Sequence, residues 1–213
     1  MSCGCDRSGY GRFFNQRFAR RLAKRYRKRG LDGSSQLIAD FVTSRGVEGA
    51  TVLEIGGGVG EIQLELLKAG AAGTTNLELS PGYEQASKEL VDEAAVAGKV
   101  ERLFGDIVQE PSLAPEADAV VLNRVVCCYP DAEALMTAVA ARASFAIALS
   151  FPPGIWAARL VVGATNLMLR IRGSEFRAYV HPQTSILAPA LARGFRVDES
   201  GRAGVWRVVA LVR

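Results

Sequence analysis

A short apolar segment that runs into a cluster of glycines constrains this chain more than any other feature. Thr51–Ile55 is typical of a buried β-strand, and Gly56, Gly57, Gly58 and Gly60 follow it directly. The residues after Gly60 have the apolar spacing of a helix. Glycines let the backbone approach a ligand closely, and the start of a helix offers free amide groups. The segment therefore predicts a strand–turn–helix unit that binds a nucleotide-like ligand.

Strand-like and helix-like segments alternate beyond this turn, which predicts the α/β fold class. Strands are expected at 74–79, 100–104, 119–123 and 144–151, and helices at 61–69, 82–97 and 131–141. Strands separated by helices of this length form a parallel sheet with helices on both faces. Residues 195–212 contain two further β-like runs and predict a closing antiparallel hairpin.

Two flanking regions depart from the alternation. Residues 1–46 are interpreted as a basic helical N-terminal arm, which precedes a domain at 47–213. In the arm, apolar residues recur every four positions, and a second helix is expected at 34–44 with Ser34 or Ser35 as its N-cap. The domain carries a cap insertion at 152–181. The cap is predicted to contain a long apolar helix to about residue 170 and a strand at 176–180.

The positive charge is concentrated in the arm. The net charge is +4, and residues 1–30 hold ten of the 26 Lys and Arg residues but one of the 22 acids. The arm is thus either an amphipathic helix that packs on the domain or a lid whose arginines attract an anionic acceptor. A membrane-surface or nucleic-acid role for the arm is a further alternative. The acidic remainder argues against a nucleic-acid surface over the whole protein.

The cysteines and the apolar segments indicate the compartment. The sequence shows neither a signal peptide nor an apolar run long enough to span a membrane, and the four cysteines do not form a disulfide framework. A cytoplasmic protein is therefore expected. Cys3 and Cys5, with His181 as the single histidine, are too few ligands for a metal site, so no metal is predicted.

Acidic residues at the predicted strand ends narrow the ligand. Glu78 ends the second strand and is placed to accept hydrogen bonds from ribose hydroxyls. Asp106 follows the third strand, where it is placed to accept from an adenine amino group while Ile107 packs the ring. Asn123 ends the fourth strand, beside the expected reaction centre. Glu54, just before the glycines, suits a ligand that carries an ammonium and a sulfonium better than one that carries a pyrophosphate.

This series of segments resembles the class I (Rossmann-like) methyltransferase family over residues 48–151. The resemblance implies a seven-stranded, mostly parallel sheet with an antiparallel last strand, and S-adenosylmethionine as the donor of an in-line methyl transfer. The cofactor-binding residues that it implies, together with those from the strand-end argument, are Glu54, Gly56, Gly57, Gly58, Gly60, Glu78, Leu79, Asp106, Ile107 and Asn123.

The flanks resemble the magnesium-protoporphyrin O-methyltransferases more weakly. Phe13–Asn15 is similar to their N-terminal arm, Arg177–His181 to part of their substrate cap, and Cys128-Tyr129-Pro130 stands where that family has His-Tyr-Pro. A thiol replaces the family's histidine base, which argues for a related architecture with a different acceptor. The candidate catalytic residues are Tyr26, Cys128, Tyr129 and His181, although adjacent cysteines are also common as buried apolar filler.

Three hypotheses follow for function. The first is S-adenosylmethionine-dependent methylation of an oxygen on a hydrophobic, anionic small molecule. The second is methylation of RNA, DNA or protein held by the basic arm. The third is a non-catalytic S-adenosylmethionine-binding module, because fold alone does not establish catalysis. The sequence does not define the oligomeric state.

Overall fold

The computed structural model describes residues 9–213, which form a seven-stranded sheet flanked by helices. The strands are β1 (Thr51–Ile55), β2 (Gly73–Glu78), β3 (Val100–Phe104), β4 (Ala117–Asn123), β5 (Ala143–Phe151), β6 (Arg196–Ala203) and β7 (Trp206–Val212). The helices are α1 (Tyr10–Phe13), α2 (Gln16–Arg29), α3 (Gly33–Ser44), α4 (Glu61–Lys68), α5 (Glu84–Glu93), α6 (Ala132–Arg142), α7 (Trp156–Ile171) and α8 (Gln183–Ala192). Cys3 and Cys5 lie outside the described residues.

The sheet confirms the predicted topology. Its strand order is β3-β2-β1-β4-β5-β7-β6. Strands β1 to β5 are parallel, and β7 pairs antiparallel with both β5 and β6. The strand order reverses between β1 and β4, and the carboxyl ends of strands at such a switch point form the crevice where α/β proteins bind ligands.

Both faces of the sheet are covered. On one face, α3 and α4 bury side chains such as Ile38, Phe41 and Leu66. On the other face, α6 and α8 contribute Met136 and Ile186 to the largest apolar cluster. The strands are therefore apolar on both sides, as the continuous apolar runs in the sequence predicted.

The N-terminal arm packs on the domain through small residues. Ala19 and Ala23 of α2 are fully buried, and they share an apolar cluster with Leu90 of α5. Asn15 caps α2 by accepting hydrogen bonds from the amides of Arg17 and Phe18. The following helix, α3, packs with α4 in the apolar cluster on one face of the sheet. The domain boundary predicted at residue 46 stays a prediction.

Two local predictions were wrong, and one helix was missed. The side chain of Asp32 caps α3, because the helix begins earlier than expected and Ser34 and Ser35 already lie inside it. Residues 176–180 are not a strand, since they run beside α7 and have no ladder partner. The helix α8 was not predicted, because Pro189 in its interior weakens the helical pattern. No helix in residues 9–213 is long and apolar enough to cross a membrane.

Candidate functional site

One cavity of about 860 Å³ opens at the carboxyl ends of β1, β2, β3 and β4. The glycine turn forms its floor, the N-terminal arm and α7 form its walls, and the tip of the β6–β7 hairpin closes one end. Most of its lining is apolar. The predicted residues that line it are Glu54, Gly56, Gly57, Gly58, Glu78, Leu79, Asp106, Ile107, Asn123, Cys128 and Tyr129. Four different strand ends thus bring the predicted cofactor residues to one place.

The glycine turn has the backbone conformation that the sequence implied. Gly56, Gly58 and Gly60 have φ angles of 61°, 57° and 83°, a region that side chains rarely tolerate. Gly57 is required for a different reason: an added Cβ would lie 2.5 Å from the Glu54 carboxyl carbon. The turn therefore brings bare backbone against both the cavity and the buried acid beneath it.

Glu54 is a buried acid, and one of its carboxylate oxygens accepts no hydrogen bond within residues 9–213. Its side chain is 2% exposed, and among the described residues no group donates to its Oε2 atom. Burial, followed by repulsion from Glu61, raises the pKa of Glu54 well above the ordinary range. A cation placed beside this oxygen would favour the carboxylate, as the prediction for this position required.

Glu78 is held rigidly by backbone amides. Its Oε2 accepts from the amide of Gly58 at 2.9 Å, and its Oε1 accepts from the amides of Leu79 and Ser80 at 2.8 Å each. Burial raises the pKa of Glu78, and these hydrogen bonds oppose the rise. Oε1 already accepts two hydrogen bonds, whereas Oε2 accepts one and retains a lone pair that is available to a ligand hydroxyl.

Asp106 shares its carboxylate with a tyrosine. The hydroxyl of Tyr129 lies 3.2 Å from Oδ1 and 3.0 Å from Oδ2 of Asp106, and the amide of Val108 also donates to Oδ1. Ile107 is buried beside it. Two residues that the sequence singled out for different roles are thus in contact, and Tyr129 lies beside the residue expected to bind adenine.

Asn123 is engaged by three serines. Its Oδ1 accepts from Ser34 at 3.0 Å and from Ser150 at 2.7 Å, while its Nδ2 donates to Ser35 at 2.9 Å. The side chain lines the cavity, but its oxygen is already saturated. Asn123 therefore fastens α3 to the ends of β4 and β5, and only one amide hydrogen remains for a ligand.

The next residue, Arg124, was missed by sequence reasoning. Its φ of 61° is unusual for a side-chain-bearing residue, and its guanidinium donates to Asp32 at 2.6 Å while lying 4.9 Å from the Trp206 ring centre. Asp32 also binds Arg25 of the arm at 3.1 Å. A strained residue at a strand end beside a cavity is a common sign of function. An arginine directly after the fourth strand was the signal available in the sequence.

Aromatic side chains of the arm cover the cavity. The Phe13 and Phe176 rings stack with centres 4.5 Å apart, and Phe14 meets Phe176 edge-on at 5.2 Å. Tyr10 donates a hydrogen bond to the backbone oxygen of Cys128, which anchors α1 above the turn after β4. The arm is thus packed on the domain and also lines the cavity, so its two interpretations are not exclusive.

Comparisons with solved structures agree with this fold. Magnesium protoporphyrin IX methyltransferase from Synechocystis PCC 6803, crystallised with SAH, is 23% identical, with a TM-score of 0.70 over 95% of this chain and 97% of that one. The chain has the class I methyltransferase fold. An O-methyltransferase family protein from Burkholderia thailandensis is 19% identical, with a TM-score of 0.67 over 94% of this chain and 63% of its own.

Human N-acetylserotonin methyltransferase, in complex with SAM, shares the class I methyltransferase fold with 18% identity and a TM-score of 0.64. The match covers 93% of this chain and 55% of the human one. No protein-family model matches the sequence, and no curated protein matches it. The comparisons therefore establish the fold, while the site chemistry has to be argued from the residues.

The candidate catalytic residues of this methyltransferase fold are dispersed. Cys128 lines the cavity, and its hydrogen bond with Cys127, together with burial, raises the pKa of its thiol. Tyr26 lies outside the cavity and donates to Glu65. His181 is also outside, with its Nε2 2.9 Å from the backbone oxygen of Tyr129. Of the four candidates, only Cys128 and Tyr129 reach the cavity.

Proposed function

We propose that this protein transfers a methyl group from S-adenosylmethionine to an oxygen of a hydrophobic, anionic small molecule. The observation that carries the proposal is the single cavity shared by the glycine turn, the strand-end acids and an apolar chamber under α7. Solved structures with this fold include a methyltransferase of magnesium protoporphyrin IX and an O-methyltransferase family 2 protein in complex with apigenin.

The residues at the strand ends fit the cofactor. The unpartnered Oε2 of Glu54 suits an ammonium group, and Gly56 and Gly58 leave room for the methionine part. Glu78 would bind a ribose hydroxyl through the free lone pair of Oε2, and Asp106 would accept from the adenine amino group. When bound, S-adenosylmethionine supplies an electrophilic methyl group on a sulfonium.

The rest of the cavity suits the acceptor. Residues of α7 and the arm form its apolar walls, including Phe13, Val161 and Val162. Arg25, Arg124 and Arg202 line it as well. The first two are paired with Asp32, whereas Arg202 has no ion pair among residues 9–213. An apolar chamber with a guanidinium at its end fits an amphiphile that carries a carboxylate or phenolate.

The chain itself would contribute position and a dry environment. Alignment of the acceptor oxygen with the methyl group supplies about 7–11 kcal/mol of the barrier reduction in such reactions. No imidazole lines the cavity, because His181 is the only histidine and lies outside it. The raised pKa keeps the Cys128 thiol protonated at neutral pH. These features favour an acceptor oxygen that is already ionised when it binds.

Calorimetry with S-adenosylhomocysteine tests the cofactor assignment. Glu78→Ala and Asp106→Ala should each weaken binding by about tenfold or more, since each removes an acceptor from a buried site. Glu133→Ala, an exposed acid on α6, is the matched control and should bind as the wild type does. The absence of binding to folded wild-type protein would reject the proposal.

A panel of acceptors tests the reaction. Labelled S-adenosylmethionine would be incubated with amphiphilic carboxylic acids and phenols, and with alcohols of similar size that offer an oxygen acceptor but stay neutral. Transfer only to the ionisable members, and a raised KM for them in Arg202→Gln, is the expected result. Equal transfer to the neutral members would contradict the anionic part of the proposal.

A further inference from the structure

The cap helix α7 has an exposed apolar stripe on the side away from the cavity. Trp156, Leu160, Leu167 and Ile171 are 74%, 63%, 61% and 78% exposed. Their spacing of four, seven and four residues places them on one line along the helix. Gly163 and Ala164 lie between them, so no polar side chain interrupts the stripe.

The opposite side of α7 faces the cavity. Ala158, Val162 and Thr165 line the cavity, and Leu169 is buried beside Tyr10 and Phe176. The inner face of α7 is therefore already occupied by the protein itself. The outer stripe has no partner among residues 9–213, and a continuous exposed apolar surface usually marks an interaction site.

The charges beside the stripe indicate the kind of partner. Arg159 and Arg170 flank one edge of it, and Arg172 follows the end of the helix. All three are exposed, and none forms an ion pair in the described part of the chain. The helix contains no Asp or Glu. An apolar face edged by cations and bearing a Trp is typical of a helix that lies in the interface of an anionic bilayer.

A second copy of the chain fits this surface less well than an anionic bilayer does. A symmetric contact would bring the same patch from both subunits together, so that the arginines of one helix would approach those of the other. With no acid on α7 to compensate them, this contact would be opposed by repulsion. Anionic headgroups would instead neutralise Arg159 and Arg170 while the apolar stripe enters the acyl boundary.

We propose that α7 docks the protein onto the surface of an anionic lipid bilayer, with Trp156, Leu160, Leu167 and Ile171 buried among the lipids. The helix then lies parallel to the membrane plane. Since the inner face of the same helix lines the cavity, docking places the apolar chamber next to the lipid phase. This surface is distinct from the basic arm, and docking does not depend on the proposed methyl transfer.

Vesicle flotation tests the docking. Wild-type protein should float with vesicles of phosphatidylcholine mixed with an equal amount of phosphatidylglycerol and much less with phosphatidylcholine alone. The double variant Leu160→Gln/Leu167→Gln should bind the mixed vesicles at least about tenfold more weakly than the wild type does. Leu191→Gln, at an apolar site of α8 that is 45% exposed, is the matched control and should float as the wild type does. Binding of S-adenosylhomocysteine would verify that each variant is folded.

Fluorescence of Trp156 gives a second readout. In a Trp206→Phe background, Trp156 is the only tryptophan, and its emission should shift to shorter wavelength on addition of mixed vesicles. Failure of the wild type to float, or flotation of the double variant equal to the wild type, would overturn the proposal. A wild-type dimer that the double variant abolishes, without flotation of either, would assign the stripe to a second copy instead.

Discussion

The hydroxyl of Tyr129 donates a hydrogen bond to the carboxylate of Asp106, with 3.0 Å between the tyrosine oxygen and Oδ2. The contact joins the turn after β4 to the end of β3. Burial and this hydrogen bond both raise the pKa of Tyr129, so the hydroxyl keeps its proton at neutral pH. We therefore expect Tyr129 to orient Asp106 toward the cofactor and not to remove a proton from the acceptor.

Tyr129→Phe separates these two roles. The variant should bind S-adenosylhomocysteine about threefold more weakly, because Asp106 loses the hydrogen bond from the tyrosine and water replaces it only in part. The kcat should stay near the wild-type value. Calorimetry and initial rates would measure both quantities. Tyr179→Phe is the matched control, because Tyr179 stacks on His181 outside the cavity. A hundredfold fall in kcat would contradict this expectation and would instead support a catalytic role for Tyr129.

Glu54→Gln should stabilise the ligand-free protein while weakening cofactor binding. Because the folded-state pKa of Glu54 is raised, its contribution to stability is full below its ordinary pKa of 4.5 and is lost as the pH rises through the raised value. At neutral pH, where a solvated glutamate would be ionised, burial of this acid therefore opposes folding. Removing it should raise the free energy of unfolding by about 1 kcal/mol.

Thermal denaturation of the wild type and Glu54→Gln across the acidic to neutral range would measure this effect. The difference between the two proteins should vanish in acid and grow toward neutral pH, whereas affinity for S-adenosylmethionine should fall about tenfold in the variant. Glu133→Gln serves as the exposed control. A variant less stable than the wild type at neutral pH would contradict the prediction.

Asp32 connects the arm, α3 and the end of β4. Burial alone would raise its pKa, but hydrogen bonds from Ser35 and attraction by Arg124 and Arg25 lower it to about 2. Its contribution to stability is therefore present above the ordinary value of 3.8 and is lost as the pH falls through about 2. Asp32→Ala should lower the free energy of unfolding at neutral pH by about 2 kcal/mol, since a helix cap and two ion pairs are lost.

Chemical denaturation at neutral pH and in acid would check this expectation. Asp40→Ala is a suitable control, because Asp40 is an exposed acid on α3 whose side chain, within residues 9–213, accepts a hydrogen bond only from the Gln36 side chain. The loss in Asp32→Ala should disappear toward pH 2, where the wild-type carboxylate also becomes protonated. Equal losses for the two variants would argue against a special role of Asp32.

Gly82→Ala should displace the N-terminal arm, although Gly82 itself does not line the cavity. An added Cβ would lie 2.5 Å from the backbone oxygen of Phe14, and backbone at this position has little freedom to move. The same oxygen accepts from Ser80 at 2.7 Å. With the aromatic cover shifted, S-adenosylhomocysteine should bind roughly tenfold more weakly, in line with typical overpacking costs.

Trypsin should also cleave the arm of Gly82→Ala faster, because local opening exposes its lysines and arginines. Gly98→Ala is the matched control, since nothing lies within 4 Å of a Cβ added there. Unchanged cleavage and affinity in Gly82→Ala would show that the arm does not need this contact.

Local patterns in the sequence predicted much of the site. The glycine turn, Glu78 and Asp106 lie next to strands with clear apolar periodicity, and the parallel order of β1, β2 and β3 brings their ends together. Tyr26 was placed among the catalytic candidates by its position in the arm. Whether a helical residue faces a cavity depends on how the helix is rotated against its neighbours, and here Tyr26 faces Glu65 of α4.

The sequence by itself determined the alternating elements, the glycine-rich turn and the acids at the strand ends, because these depend on periodicity and backbone conformation over a few residues. Tertiary structure decided the partners. Tyr129 binds Asp106, three serines occupy Asn123, and Arg124 meets Asp32 across the end of the sheet. These contacts join residues far apart in the chain, so their geometry depends on strand register and loop paths that no local pattern encodes.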